Sequence, residues 1–117
     1  MTIREKLEEL GYEILPPIFD TGEYLIMHFT KTYKHIAYCN IDILVDSKDV
    51  LDIKPSFWVC GLTGEKGYTP KKFADACVEL KKEEDDFFEW CKQEGKMTEK
   101  TPKTEDILKC KVGKENK

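Results

Sequence analysis

The most regular alternation of apolar and polar positions runs from residue 35 to residue 46 and predicts the central β-strand of the protein. Every second position in it is apolar, namely Ala37, Cys39, Ile41, Ile43 and Val45. The positions between them are mixed, namely Ile36, Tyr38, Asn40, Asp42 and Leu44. A strand with this period packs its apolar side against a core and turns its mixed side outward.

Apolar runs on both sides of this strand predict its neighbours in an antiparallel meander. Residues 24–31 alternate in the same way, and residues 31–34 read as the polar turn that follows. Residues 12–19 hold two prolines, which cannot donate to a strand ladder, so we expect at best a bent edge strand there. Residues 50–59 predict a further strand that Pro55 interrupts.

Two helices are predicted at the ends of this meander. A capping box of Thr2 and Glu5 begins a short N-terminal helix. Thr69 as N-cap and Pro70 at the first helical position begin a long helix that Gly95 ends. Its apolar stripe consists of Phe73, Ala76, Cys77, Leu80, Phe87, Phe88 and Cys91. The long helix is therefore the expected cover of the core.

These elements predict an α+β fold in the order α-β-β-β-α, an antiparallel sheet of three to four strands with both helices on one face. Glu84 falls within the apolar stripe of the long helix. Either its carboxylate meets water where the helix runs past the sheet, or it is buried with a partner and has a raised pKa. The free energy needed to bury an unpaired carboxylate favours the solvated alternative.

Charge divides the chain into two parts. Residues 96–117 hold seven Lys against four acidic residues, whereas residues 1–95 hold 12 basic against 19 acidic residues. We therefore expect one folded domain over residues 1–95, with a net charge near −7, and a basic, mostly flexible tail over residues 96–117. An acidic domain disfavours unspecific attraction to nucleic acid or to an anionic membrane.

The cysteines and histidines predict no catalytic, cofactor or metal site. The five cysteines form no Cys-x-x-Cys pair, and their odd number and mostly apolar surroundings favour free thiols in a reducing cytoplasm. Cys39 lies on the apolar side of its strand, and His28 falls on the opposite face of the sheet, so the two cannot form a nucleophile and base. The Cys and His spacings do not match a zinc site. We expect no cofactor and no enzymatic activity.

The outer side of the sheet is the most informative surface for function, because it is more aromatic than the solvent face of a monomer usually is. The candidate partner-binding residues are Tyr24, Ile26, His28, Tyr38 and Trp58. Three alternatives remain open: the tail covers this surface through Ile107 and Leu108, two copies pack sheet on sheet, or a different protein binds there. A second candidate surface is the acidic helix face of Glu79, Glu83, Asp86 and Glu89.

The resulting hypothesis is a small acidic, non-enzymatic interaction protein of the cytoplasm, an inhibitor or an adaptor, that binds a protein partner or forms a homodimer. The runner-up hypothesis comes from a family resemblance. The order of helix, strands and helix, with Lys71-Lys72-Phe73-Ala74 at the start of the last helix, resembles the double-stranded-RNA-binding domain. Asp75 stands where that family has a third lysine. The resemblance implies a nucleic-acid-binding module that uses Lys71 and Lys72.

Overall fold

The computed structural model describes residues 1–98 and Thr101, and within them the chain forms a four-stranded antiparallel sheet with two helices on one side. The elements in chain order are α1 (Ile3–Glu9), β1 (Glu13–Asp20), β2 (Tyr24–Tyr33), β3 (Ala37–Asp46), β4 (Phe57–Gly61) and α2 (Pro70–Gln93). The strands lie in the order β1-β2-β3-β4, so the sheet is an open meander. The predicted α+β class and the predicted helices are confirmed.

β3 lies inside the sheet, and its alternating pattern determines which face of the sheet is buried against the core. Its inner positions Cys39, Ile41 and Ile43 are almost completely buried. β2 pairs with β3 over its whole length, and the register places Phe29 opposite Ile41 and Met27 opposite Ile43. Because paired residues in an antiparallel sheet point to the same face, these side chains share one core beneath α2.

The caps of both helices form as their sequences predict. The Thr2 side chain accepts from the Glu5 backbone N–H, and the Glu5 side chain accepts from the Thr2 backbone N–H. Thr69 caps α2 by accepting from the Lys72 backbone N–H. The buried residues of α2 are Ala76, Leu80, Phe87, Phe88 and Cys91, while Phe73 and Cys77 are half-buried. Most of the predicted apolar stripe of α2 therefore faces the core.

The last strand begins later than the sequence pattern predicts. Residues 50–56 contain isolated bridge residues and no regular strand. Leu51 bridges Val45, and regular pairing with β3 starts at Phe57. Asp46 closes a turn there, because its Oδ1 accepts the backbone N–H of Lys48 and that of Val50. The turn and the proline at position 55 together prevent this segment from forming a regular strand. The prediction of a strand over residues 50–59 is thus wrong for its first half.

Two further details differ from the sequence pattern. β2 continues to Tyr33, so the predicted polar turn over residues 31–34 is mostly strand, and Lys34 and His35 make the turn with positive φ. Beyond α2, Met97 is buried, and the Lys96 ammonium is 2.9 Å from the Asp49 carboxylate. The chain thus contributes to the core slightly beyond Gly95. The rest of the predicted tail, apart from Thr98 and Thr101, lies outside the described residues.

Candidate interaction site on the outer sheet face

The outer face is the side of the sheet that is turned away from α1 and α2. The outward positions that form it, by register, are Glu13, Leu15, Phe19, Tyr24, Ile26, His28, Thr30, Thr32, Tyr38, Asn40, Asp42, Leu44, Asp46, Trp58 and Cys60. Phe19 is 51% exposed and Trp58 is 66% exposed. The two residues lie on the opposite edge strands, β1 and β4, so exposed apolar side chains occur at both edges of this face.

The fold keeps Phe19 on this surface through an irregularity in β1. The pairing of β1 with β2 shifts between Leu15 and Phe19, at the place where the two prolines lie. Leu15 is opposite His28 and Phe19 is opposite Ile26, so both apolar side chains lie on the outer face in spite of the extra residues between them. Sequence reasoning missed Leu15 and Phe19, because simple alternation cannot be followed through a bulge.

A groove of about 350 Å³ crosses the outer face between β3 and the segment before β4. Its lining residues are Ile26, Asp42, Ile43, Leu44, Ile53, Pro55, Ser56 and Trp58. Most of this lining is apolar, and the Asp42 carboxylate supplies the charge. Such a groove suits an apolar side chain whose neighbour carries a polar or charged group.

A histidine and an aspartate are joined in the middle of the outer face. His28 Nδ1 lies 2.6 Å from Asp42 Oδ1, and because a carboxylate only accepts, the ring nitrogen donates. The side chain of Asp42 is 75% exposed, so its second oxygen is open to solvent or to a ligand. The Phe19 ring meets the His28 ring edge to face at 6.3 Å and supports its orientation.

The surroundings of this pair differ from those of a catalytic triad. In a catalytic triad, a histidine held by a carboxylate activates a serine or cysteine within hydrogen-bond reach. In the described part of the chain, no hydroxyl or thiol group is hydrogen-bonded to His28, and Cys39 is buried on the opposite face. The pair is therefore an exposed carboxylate oriented by an imidazole, without the hydrogen-bonded nucleophile of a triad among the described residues.

One buried polar atom on the outer face is left without a hydrogen bond. Asn40 lies between Thr30 and Trp58 in the register, and its Oδ1 is buried with no partner among the described residues. An unpaired buried acceptor lowers the stability of a fold. Such a local loss of stability is more common at surfaces shaped for binding than in parts of a protein shaped only for stability.

The five predicted partner-binding residues all occupy outward positions. Tyr24, Ile26 and His28 lie on β2, Tyr38 lies on β3, and Trp58 lies on β4. Tyr38 is half-buried and pairs across the strands with Cys60, whose side chain raises the pKa of the Tyr38 hydroxyl through a hydrogen bond. Ile26 and Trp58 line the groove, whereas Tyr24 and Tyr38 lie away from it.

The acidic helix face is smaller in the structure than in the sequence. Glu79, Asp86 and Glu89 are exposed on α2. Glu83 instead turns toward the sheet, where both its oxygens lie 3.0 Å from the Lys31 ammonium, which also donates to the Leu10 carbonyl. This ion pair, only about one fifth exposed, ties α2 to β2 and leaves Glu83 poorly placed to meet a partner.

Glu84 combines features of the two alternatives that the sequence left open. Its side chain is 17% exposed, so it is largely removed from water. Its carboxylate nevertheless has a partner, the Lys81 ammonium at 3.5 Å, and Glu84 in turn raises the pKa of that lysine. The Glu84 carboxylate is thus mostly shielded from water, and the nearby Lys81 ammonium offsets part of its negative charge.

The two lysines of the runner-up hypothesis lie in a mixed electrostatic environment. Lys71 and Lys72 are exposed in the first turn of α2. A second groove places Lys72 with Lys34, but Asp75 and Glu79 line the same groove. Two positive and two negative side chains give no net charge there, whereas binding of a phosphate backbone depends on clustered positive charge.

Among residues 1–98 and Thr101, no group of three or more His, Cys, Asp or Glu side chains is arranged to hold a metal ion. In the same part of the chain, neither helix combines the length and the apolar character that crossing a membrane requires. The four cysteines described are free thiols.

The structure thus defines a small α+β domain with an open antiparallel sheet and an apolar groove on its outer face. Comparison with known proteins gave no match to a family model, to a curated protein or to a solved structure. The residues of the outer face are therefore the basis for a functional proposal, and the resemblance to the double-stranded-RNA-binding domain stays a prediction.

Proposed function

We propose that this protein is a non-enzymatic interaction protein, an adaptor or an inhibitor of the cytoplasm, that binds another protein through the outer face of its sheet. The observation that carries the proposal is the groove lined by the exposed Trp58 ring and by the oriented Asp42 carboxylate. Exposed aromatic anchors beside a groove are typical of residues that supply much of the binding free energy in protein interfaces.

The acidic face of α2 supports this proposal less well than the outer face does. Its three exposed carboxylates belong to one helix, and the fourth is used inside the fold by Lys31. Charged side chains on an exposed helix are a common solvated surface, and their contacts with a partner are screened by salt. The outer face adds buried apolar area, which is the larger source of binding free energy.

A quantitative pull-down from the native cell tests the proposal. Intact protein, Trp58→Ala and Val78→Ala are each used as bait, since Val78 is an equally exposed apolar residue on α2 and serves as the matched control. We expect a set of proteins retained by intact protein and by Val78→Ala, and depleted at least about tenfold with Trp58→Ala.

The same retained proteins with all three baits would contradict the proposal. A circular-dichroism spectrum and a melting curve for each bait ensure that the losses do not come from unfolding. If retention depends on Lys71 and Lys72 and disappears after nuclease treatment, the runner-up function replaces the proposed one.

A further inference from the structure

The groove on the outer face also specifies the chemistry of what it binds. The strands contain one lysine and no arginine, and that lysine, Lys31, points inward to Glu83. The acidic side chains at outward positions are Glu13, Asp42 and Asp46. Apart from His28, which is hydrogen-bonded to Asp42, the outward strand positions of the described chain are therefore apolar, polar or acidic, and none of them carries a Lys or Arg.

The position of Asp42 relates this charge to the groove. Asp42 lines the groove together with Leu44 and Trp58, and its Oδ1 is held by His28. Asp46 is used differently, because its Oδ1 already accepts two backbone N–H groups of its own turn. Asp42 is thus the carboxylate that a ligand in the groove meets first.

From these observations we propose that the groove takes a short segment of another protein in which a bulky apolar residue is followed or preceded by Lys or Arg. This inference rests on the proposed function and names the partner's chemistry. At about 350 Å³ the groove is at the small end of ligand sites, a size for one or two side chains. The basic residue of the segment lies against the exposed oxygen of Asp42.

The charge of the outer face argues against a second copy of the chain as the occupant. In sheet-on-sheet packing of two copies, the outer faces would meet. Asp42 and Glu13 of one copy would then lie against a face that carries the same carboxylates. Like charges in one interface oppose association, whereas a basic segment complements them. The groove therefore fits a foreign basic segment better than it fits its own surface.

Selection of displayed random peptides against the full-length protein tests this inference. We expect enriched sequences in which a bulky apolar residue adjoins Lys or Arg. The affinity of an enriched peptide should fall about thirtyfold with Trp58→Ala and about two- to fivefold with Asp42→Asn. It should also weaken with added salt for intact protein and less so for Asp42→Asn.

Two control variants separate failure of this inference from failure of the proposed function. Val78→Ala and Asp85→Asn change an exposed valine and an exposed carboxylate on α2, and both should bind the enriched peptide like intact protein. Peptides that depend on Trp58 but lack basic residues, or that ignore Asp42→Asn, overturn the inference and leave the proposed function standing. Selection with no dependence on Trp58 overturns both.

Other occupants of the groove are also distinguishable. If peptides are enriched only against full-length protein carrying Leu108→Asp, the chain's own basic tail occupies the groove, and the foreign segment is ruled out. If sedimentation shows a dimer that Trp58→Ala converts to a monomer, a second copy is the occupant and the inference is again overturned.

Discussion

The two sides of the sheet each carry one pair of ionisable side chains, and the two pairs serve different ends. On the inner side, Lys31 of β2 reaches Glu83 of α2 with both side chains about four fifths covered, so the pair joins two separate elements. On the outer side, His28 and Asp42 join two strands that backbone hydrogen bonds already hold together. The inner pair therefore stabilises the fold, whereas the outer pair adds little to it, and we propose that it serves recognition.

The largest expected difference between the two sides concerns aromatic residues. Phe29 is completely buried on β2, and Phe19 is half exposed on the neighbouring β1. Phe29→Ala should lower the free energy of unfolding by about 3–5 kcal/mol because it leaves a cavity, and Phe19→Ala should lower it by less than about 1 kcal/mol. Urea denaturation measures both values. Similar losses for the two variants would contradict the assignment of inner and outer sides.

The ion pairs give the next largest difference. Glu83→Gln leaves the Lys31 ammonium poorly compensated in a half-buried place, so we expect a loss of about 1–3 kcal/mol in the free energy of unfolding. Asp42→Asn keeps the shape of an exposed side chain and should cost at most about 1 kcal/mol. The same denaturation curves compare them. An equal or larger loss for Asp42→Asn would mean that the outer pair is structural.

Alkaline pH should weaken the inner side through its buried acids. Burial raises the pKa of Cys91 from 9.0 to about 12, and it also raises the pKa of Cys39 and that of the Tyr12 hydroxyl. The folded state keeps these protons after the unfolded chain has lost them, so unfolding releases protons at high pH. Stability should be fully present below pH 9 and fall as the pH rises toward 12.

Denaturation curves at a series of alkaline pH values check this sign, with Cys91→Ala as the comparison. That variant should start less stable because of the lost side chain, but its stability should fall less steeply with pH. A stability that stays constant or increases above pH 9 would show that these groups are not shielded by the core.

The smallest expected difference between the two sides concerns two cysteines on adjacent strands. Its test requires no substitution. Cys39 is buried on the inner side of β3, and Cys60 is half-exposed on the outer side of β4. Iodoacetamide should modify Cys60 in the folded protein and reach Cys39 only after denaturation, as peptide mass spectrometry of the products would show. Modification of Cys39 at the rate of Cys60 would place it on the wrong face. One thiol far more reactive than a free cysteine would instead favour an enzyme.

The parts of the fold that follow from local rules could be predicted from the sequence. Periodicity predicts β3, and the capping chemistry of Thr2 and Thr69 predicts where the two helices begin. Both kinds of signal depend little on distant contacts. The separation of Cys39 and His28 to opposite faces likewise follows from the two-residue period alone.

The parts that depend on distant contacts could not be predicted. Lys31 appears in the sequence as part of a polar turn, and only the position of α2 above β2 reveals its bond to Glu83. The His28–Asp42 pair depends on strand register, which the sequence leaves undetermined until the turns are known. The groove could not be predicted because the segment before β4 departs from regular strand pairing and forms one of the groove's walls.

The proposed binding surface requires that the outer face of the sheet is accessible to solvent in the full-length protein. In Trp90→Phe, Trp58 is the one tryptophan left in the chain, and acrylamide quenching of its fluorescence reports its exposure. We expect acrylamide to quench Trp58 in the free full-length protein nearly as well as in the urea-unfolded chain. Adding the selected basic peptide should shield Trp58 from acrylamide. Strong shielding in the free protein, or no change on adding the peptide, would contradict the proposed binding surface.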